Sequence, residues 1–243
     1  MLKVRLLGAF EIRIGEDILH MAGRPEQSLF AYLVLNSGTL HRREKLTALL
    51  WPDALDDSAR ENLRHVLWRV RKTLPASLST ACLFTDDLCI AFNASADFWL
   101  DVSTLKMAKE YRSPDELISV LNVYLGELLP GFNEEWVNFE REYINAFYEH
   151  HMARLMAILQ KEKRWLDILE WGERWLTFGK RPEPAYRALM CAHKEMGEIS
   201  EVAGIYARCV RSLREIGLEP SEQTRQVFNH LVAHNSFEIP KSR

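Results

Sequence analysis

Between Ala59 and Leu74 the chain reads Ala-Arg-Glu-Asn-Leu-Arg-His-Val-Leu-Trp-Arg-Val-Arg-Lys-Thr-Leu, placing five arginines and lysines against a single acid, Glu61. Set at helical spacing, Leu63, Val66, Leu67, Val70 and Leu74 gather in one apolar arc, and Arg60, Arg64, His65, Trp68, Arg69, Arg71 and Lys72 face outward. Such a segment has one side to bury and one to bind with. Its local charge of about +4 suits contact with an anion bearing several phosphates, whose counterions it would release. A solvated charged face is the competing reading, and the neighbouring elements must decide between them.

Those neighbours form an ordered frame. Val4 to His20 alternates in polarity with Gly8, Gly15 and Glu16-Asp17 as punctuation, which predicts two or three short antiparallel strands. Pro25 opens a helix through Leu35, stopped by Asn36-Ser37-Gly38, and Arg42 to Leu50 gives a second helix broken by Trp51-Pro52-Asp53. Asp56, Asp57 and Ser58 stand as cap residues before the basic helix, and Pro75 ends it. Cys82 to Phe92 then reads as two strands turning at Asp86-Asp87. Strands, three helices and a hairpin, with the third helix basic and amphipathic, are the order of a winged helix, in which two helices brace a third against a DNA groove.

Here the residues resemble a known family. Leu6-Leu7-Gly8-Ala9-Phe10, Leu29 to Asn36, Arg43 to Asp53 and Ala59 to Leu74 are similar to the Streptomyces antibiotic regulatory proteins, and Leu128-Leu129-Pro130-Gly131 with Trp136 and Arg141 resembles the activator domain of that family. The resemblance implies a regulator that binds direct repeats in double-stranded promoter DNA, two protomers side by side as a homodimer on DNA, and that contacts RNA polymerase.

After about Asp97 the pattern becomes helical throughout: Val102 to Lys109, Pro114 to Leu125, Glu134 to Lys161, Trp165 to Phe178, Glu183 to Met196, Ile199 to Ile216 and Ser221 to His234. A shift of 34 residues, the period of tetratricopeptide helix pairs, lays Leu155 on Leu189, Trp165 on Ile199, Ile168 on Val202 and Leu169 on Ala203. Helix pairs of this kind bury their apolar faces only by stacking. The expected fold is therefore an α+β winged helix over residues 1–97 followed by an all-α tetratricopeptide-like repeat over 98–243, mostly α overall.

In a winged helix the third helix lies in the major groove, where long polar side chains read base edges. Asn62, Arg64, His65 and Arg69 are the candidate base readers. Arg60, Trp68, Arg71 and Lys72, nearer the edges of the arc, are candidates for phosphate contact, joined by Arg42, Arg43 and Lys45 of the second helix. For Arg43 and Lys45, pairing with Glu44 or Asp53 is the alternative. Trp51 resembles a tryptophan that lies near the DNA backbone in response-regulator winged helices, with core packing as its alternative. The hairpin departs from the family: no Lys or Arg occurs from Leu74 to Leu105, and an Asp86-Asp87 tip would be repelled by phosphate.

Composition narrows the classes further. A net charge of −3 and 47% hydrophobic residues exclude a charge-coated binder, so DNA contact must come from a focused patch. Cys82, Cys89, Cys191 and Cys209 lack metal-ligand or disulfide spacing, and no signal-type or membrane-length apolar run occurs, so a cytoplasmic protein without membrane contact is expected. His150-His151 beside Glu149 has no third ligand at suitable spacing. No catalytic motif, metal site or cofactor loop is present in the sequence, and an enzyme is not expected. A second functional reading stays open: the helical repeat captures a protein or small-molecule effector, and the winged helix is its docking surface.

Overall fold

The computed structural model describes residues 1–233 and divides into two compact units. The first comprises Met1–Met107 and Val123–Ile144, and the second comprises Ala108–Asn122 and the residues from Asn145 onward.

The first unit opens with β1 (Leu2–Arg5), β2 (Glu11–Ile14) and β3 (Asp17–Ile18), paired antiparallel in turn. Helix α1 (Arg24–Leu35), the short strand β4 (His41–Arg42), α2 (Arg43–Leu50) and α3 (Asp56–Thr73) follow. Leu29, Phe30, Leu33, Leu46, Leu63, Val66, Leu67 and Val70 close the core between the three helices. Beyond α3 lie α4 (Ala76–Cys82), β5 (Leu83–Thr85) and β6 (Cys89–Phe92), and β4, β6 and β5 make a three-stranded sheet in that order. Phe30 meets Phe92 edge-on at 5.9 Å, joining α1 to the hairpin.

Three expectations are corrected in this unit. Cys82, expected to open the hairpin strands, instead ends helix α4, in which Pro75 takes the cap position and its carbonyl accepts the Ser79 N–H at 2.8 Å. Phe98–Leu100, expected within an all-helical half, is strand β7, parallel to β1, so the first sheet runs β3-β2-β1-β7. Strand β1, with Leu2 and Val4 buried, finds its second partner here, more than ninety residues on in sequence. The third is the start of α3, which lies at Asp56 and not at Ala59.

The 97/98 division read from the sequence falls inside this arrangement. Helix α5 (Asp101–Lys106) remains with the first unit, and the buried Asp101 carboxylate accepts the N–H groups of Leu6 and Leu7 at 2.8 Å each. Residues 123–144 are tied back by a bridge between Leu7 and Leu128 and by the Gly8 N–H donating to the Glu127 carbonyl at 2.9 Å. Arg141 shapes this segment, its guanidinium donating to the carbonyls of Leu128, Leu129 and Phe132 at 2.8 to 2.9 Å.

In the second unit α6 (Pro114–Leu121) begins with a capping box in which Ser113 and Glu116 satisfy each other's backbone N–H groups. Its apolar run stops four residues short of the expected Leu125. Helix α7 (Glu135–Lys161) contributes its first turns to the first unit and the rest to the second. Then come α8 (Trp165–Phe178), α9 (Glu183–Glu195), α10 (Ile199–Arg214) and α11 (Glu222–Ala233); the end of the last expected helix, His234, lies outside the described residues. Trp165 and Ile199, superposed by the 34-residue shift, are the first residues of α8 and α10, and Ile168 and Val202 are both buried. Tyr186, Leu189, Met190, Val202, Ile205, Cys209 and Leu213 form the core between these helices. The stacked helix pairs of a tetratricopeptide-like repeat are thus present.

Candidate nucleic-acid interface

Helix α3 starts at Asp56, three residues before the expected Ala59. Leu55 occupies the cap position in extended conformation with no side-chain cap, so Asp56, Asp57 and Ser58 lie in the first turn and act through the helix dipole alone. Arg71 and Lys72 sit in the last turn, where the dipole favours cations. Over its full length the helix sets five cations against three acids, so the positive charge is concentrated in the middle and C-terminal turns.

Ala59, Leu63, Val66, Leu67 and Val70 are buried, and every candidate contact residue on α3 is exposed. By helical stepping the exposed surface has a crest and two flanks. Glu61, His65, Trp68 and Lys72 form the crest. His65 Nε2 stands 3.8 Å from Glu61, and the Lys72 ammonium lies 4.9 Å from the Trp68 ring, which is 57% exposed. Arg60, Arg64 and Arg71 line one flank. Arg71 donates to the Thr85 hydroxyl of β5, which directs this flank toward the hairpin, and Arg60 stands 3.6 Å from Asp57.

Asn62 and Arg69 line the other flank. Arg69 is held there, its Nη1 donating to the Glu26 carboxylate at 2.8 Å. Glu26, buried in the first turn of α1, was not singled out from the sequence; an exposed-looking acid after Pro25 carries no local sign of a partner 43 residues away. Arg64 and Asn62, by contrast, have no ion pair or side-chain hydrogen bond among the described residues and project freely.

The second helix supplies a different mix. Arg42 and Lys45 are exposed without ion pairs among the described residues. Arg43 is engaged with the hairpin: its side chain donates to the Asp86 carbonyl at 3.0 Å and its N–H to the Leu88 carbonyl at 2.9 Å. Trp51 is half-buried and lines a small cleft with Ala59 and Arg60 at the start of α3. At the hairpin tip, the Asp86 carboxylate accepts the N–H groups of Cys89 and Leu88 at 2.6 and 2.8 Å, which hold its pKa below the usual carboxylate range. Asp86 is therefore a turn cap whose exposed carboxylate keeps its charge, and the hairpin tip stays acidic.

Among the described residues no group of three or more His, Cys, Asp or Glu is placed to hold a metal ion, and no helix is long and apolar enough to cross a membrane. His151 stacks on Phe147 at 4.2 Å and hydrogen-bonds its carbonyl, so the His150-His151 pair is engaged in helix packing.

A bacterial transcriptional activator domain family matches residues 106–232, and the chain belongs to that family. The structure is similar to Mycobacterium tuberculosis EmbR, solved in complex with a low-affinity phosphopeptide, with a TM-score of 0.72 at 16% identity. The match covers 98% of this chain and 66% of EmbR, so the chain spans just under two thirds of that protein's length. Among curated proteins no match is found. The resemblance to the Streptomyces antibiotic regulatory proteins accords with this family, a class of transcriptional regulators.

Proposed function

We propose that this regulator binds double-stranded promoter DNA in a sequence-specific manner, with α3 in the major groove. The observation that carries the reading is the free Arg64 and Asn62 on a rigidly packed helix whose other cations are steered by neighbours. Arg and Asn are the side chains that make bidentate contacts to guanine and adenine. In this reading Arg64, Asn62 and His65 read bases. Arg42, Lys45, Arg60, Arg71, Lys72 and Trp68 contact phosphate or sugar. Arg69, held by Glu26, sets the pose of the helix and reaches DNA only by leaving that carboxylate. Arg43 positions the hairpin, and Trp51 supports the start of α3.

Residues 1–97 with the strand and segment packed on them would carry the DNA contact, and the helical repeat the regulatory one. Two protomers on a direct repeat and activation through RNA polymerase follow as proposals from the family resemblance, and a cytoplasmic location from the function itself. Selection of fragments from a genomic library by the purified chain, followed by anisotropy titrations at several salt concentrations, tests the reading. A selected motif bound with a steep salt dependence is expected; equal binding of all fragments overturns it.

The second reading, a repeat that captures a protein or small effector, is favoured by one observation: the hairpin exposes Phe84 on β5 and Leu88 in its turn and carries no cation, and Leu40 is exposed just before β4. Apolar surface of that kind suits a protein better than a phosphate backbone.

A further inference from the structure

In the first unit, the C-terminal end of α2 and the first turns of α7 enclose an open cleft of about 350 Å³, lined by Ala48, Leu49, Leu50, Pro52, Glu134, Glu135, Trp136 and Phe139. Two of its properties point to an occupant. Phe139 is 66% exposed, an aromatic ring held in water on a well-formed helix. Trp136 lines the same cleft and is 7% exposed, so its indole reports on what enters there. Glu134 and Glu135, finally, add two carboxylates to an otherwise apolar lining and make no ion pair among the described residues.

We infer that this cleft docks a segment of a partner protein that carries an apolar anchor side chain flanked by Lys or Arg. The anchor would fill the space between Leu49, Leu50 and Phe139, and the flanking cations would meet Glu134 and Glu135. An open cleft at the lower end of the size range for small-molecule sites buries one side chain well but leaves most of a free ligand in water. The carboxylates set the sign of the partner. Ala48 and Pro52 also line the neighbouring cleft that reaches Asp56 and Arg60 of α3, so the dock lies one helix away from the proposed DNA contact. The inference does not depend on that contact.

The test uses the intact chain with ¹⁵N-labelled indoles, the Trp136 resonance being assigned by its loss in Trp136→Phe. Three probes are titrated: the capped peptide Lys-Leu-Phe-Lys, the capped peptide Glu-Leu-Phe-Glu, and phenethylamine. The cationic peptide is expected to move the Trp136 resonance, with affinity reduced roughly fivefold in the double variant Glu134→Gln/Glu135→Gln, the effect of losing exposed ion pairs, and reduced also in Phe139→Ala. Glu135 and Phe139 are exposed and Glu134 is half-buried, and the variants' spectra report folding directly. No movement with the cationic peptide, or equal movement with the acidic one, overturns the inference. Full movement with phenethylamine alone overturns the protein occupant in favour of a small amine.

Discussion

The Arg69 guanidinium of the basic helix lies 2.8 Å from the Glu26 carboxylate, which is buried in the first turn of α1. Among the described residues the second Glu26 oxygen has no hydrogen-bond partner, so this single ion pair and the α1 dipole are what compensate the buried charge there. Replacing Arg69 by alanine leaves that charge uncompensated. Arg69 is itself 62% exposed, so solvent screens the pair. The expected cost is about 1–2 kcal/mol of stability, read as a lower urea midpoint with an unchanged m-value. The matched variant Glu26→Gln, which removes the charge but keeps a hydrogen-bonding group, should cost less than Arg69→Ala. An Arg69→Ala midpoint equal to the parent's would show the pair to be idle.

Arg64 sits one turn away with no such tie and should behave in the opposite way. Arg64→Ala is expected to leave the unfolding free energy within about 0.5 kcal/mol of the parent, while costing about 1–3 kcal/mol of affinity for the selected DNA motif and little for random DNA. Competition anisotropy with both DNAs measures the two losses separately. A uniform loss on both would place Arg64 on phosphate and move base reading elsewhere.

The contrast between these two arginines marks how far the sequence could be read. Periodicity placed the buried arc of α3 and the paired starts of α8 and α10, because burying one helical face dictates residue types at local spacing. Spacing also gave the set of exposed cations, but could not say which were engaged. Glu26, Thr85 and the Asp86 carbonyl are partners supplied by distant elements, and they divide the cations into held and free. The start of α3 was misplaced because Asp56, Asp57 and Ser58 are good cap residues and equally good first-turn residues. Strand β7 was invisible for a related reason: three residues, Phe98–Leu100, form a strand only because β1 offers its edge.

Gly8, in the Leu6-Leu7-Gly8-Ala9-Phe10 stretch, is where the chain tolerates least. Its φ is +82°, and a Cβ there would lie 2.5 Å from the Leu125 carbonyl oxygen. Backbone on both sides is fixed, by the hydrogen bond to Glu127 and the bridge from Leu7 to Leu128, so neither strand can move away. Gly8→Ala should therefore destabilise the first unit by about 2–4 kcal/mol through strain and overpacking together. Gly197→Ala is the control, since its φ is also positive but nothing among the described residues lies within 4 Å of the added carbon. Thermal unfolding of both variants checks this: equal losses would mean that conformation alone, and not the close approach to Leu125, sets the cost.

Asp101 should make the stability of the same unit depend on pH in an unusual direction. Its carboxylate is fully buried and accepts three backbone N–H groups, from Leu6, Leu7 and Val102, each at 2.8 Å. Burial pushes its pKa up to about 6 from 3.8, while those hydrogen bonds pull it down without cancelling the rise. A folded-state value above the unfolded one means that the folded protein holds the proton more tightly. The stabilisation from this group is therefore complete below about pH 3.8 and is lost as pH rises through about 6. The shift corresponds to about 3 kcal/mol between the two limits. Asp101→Asn keeps the size and one acceptor oxygen but cannot titrate. Its unfolding free energy should lose this component of the fall between pH 4 and pH 7, so that the difference between parent and variant changes across the window roughly as the titration of one carboxyl. Urea titrations at half-unit pH steps give that difference directly. A difference that is flat from pH 4 to pH 7 would show that Asp101 is ionised throughout, with the three N–H groups outweighing its burial.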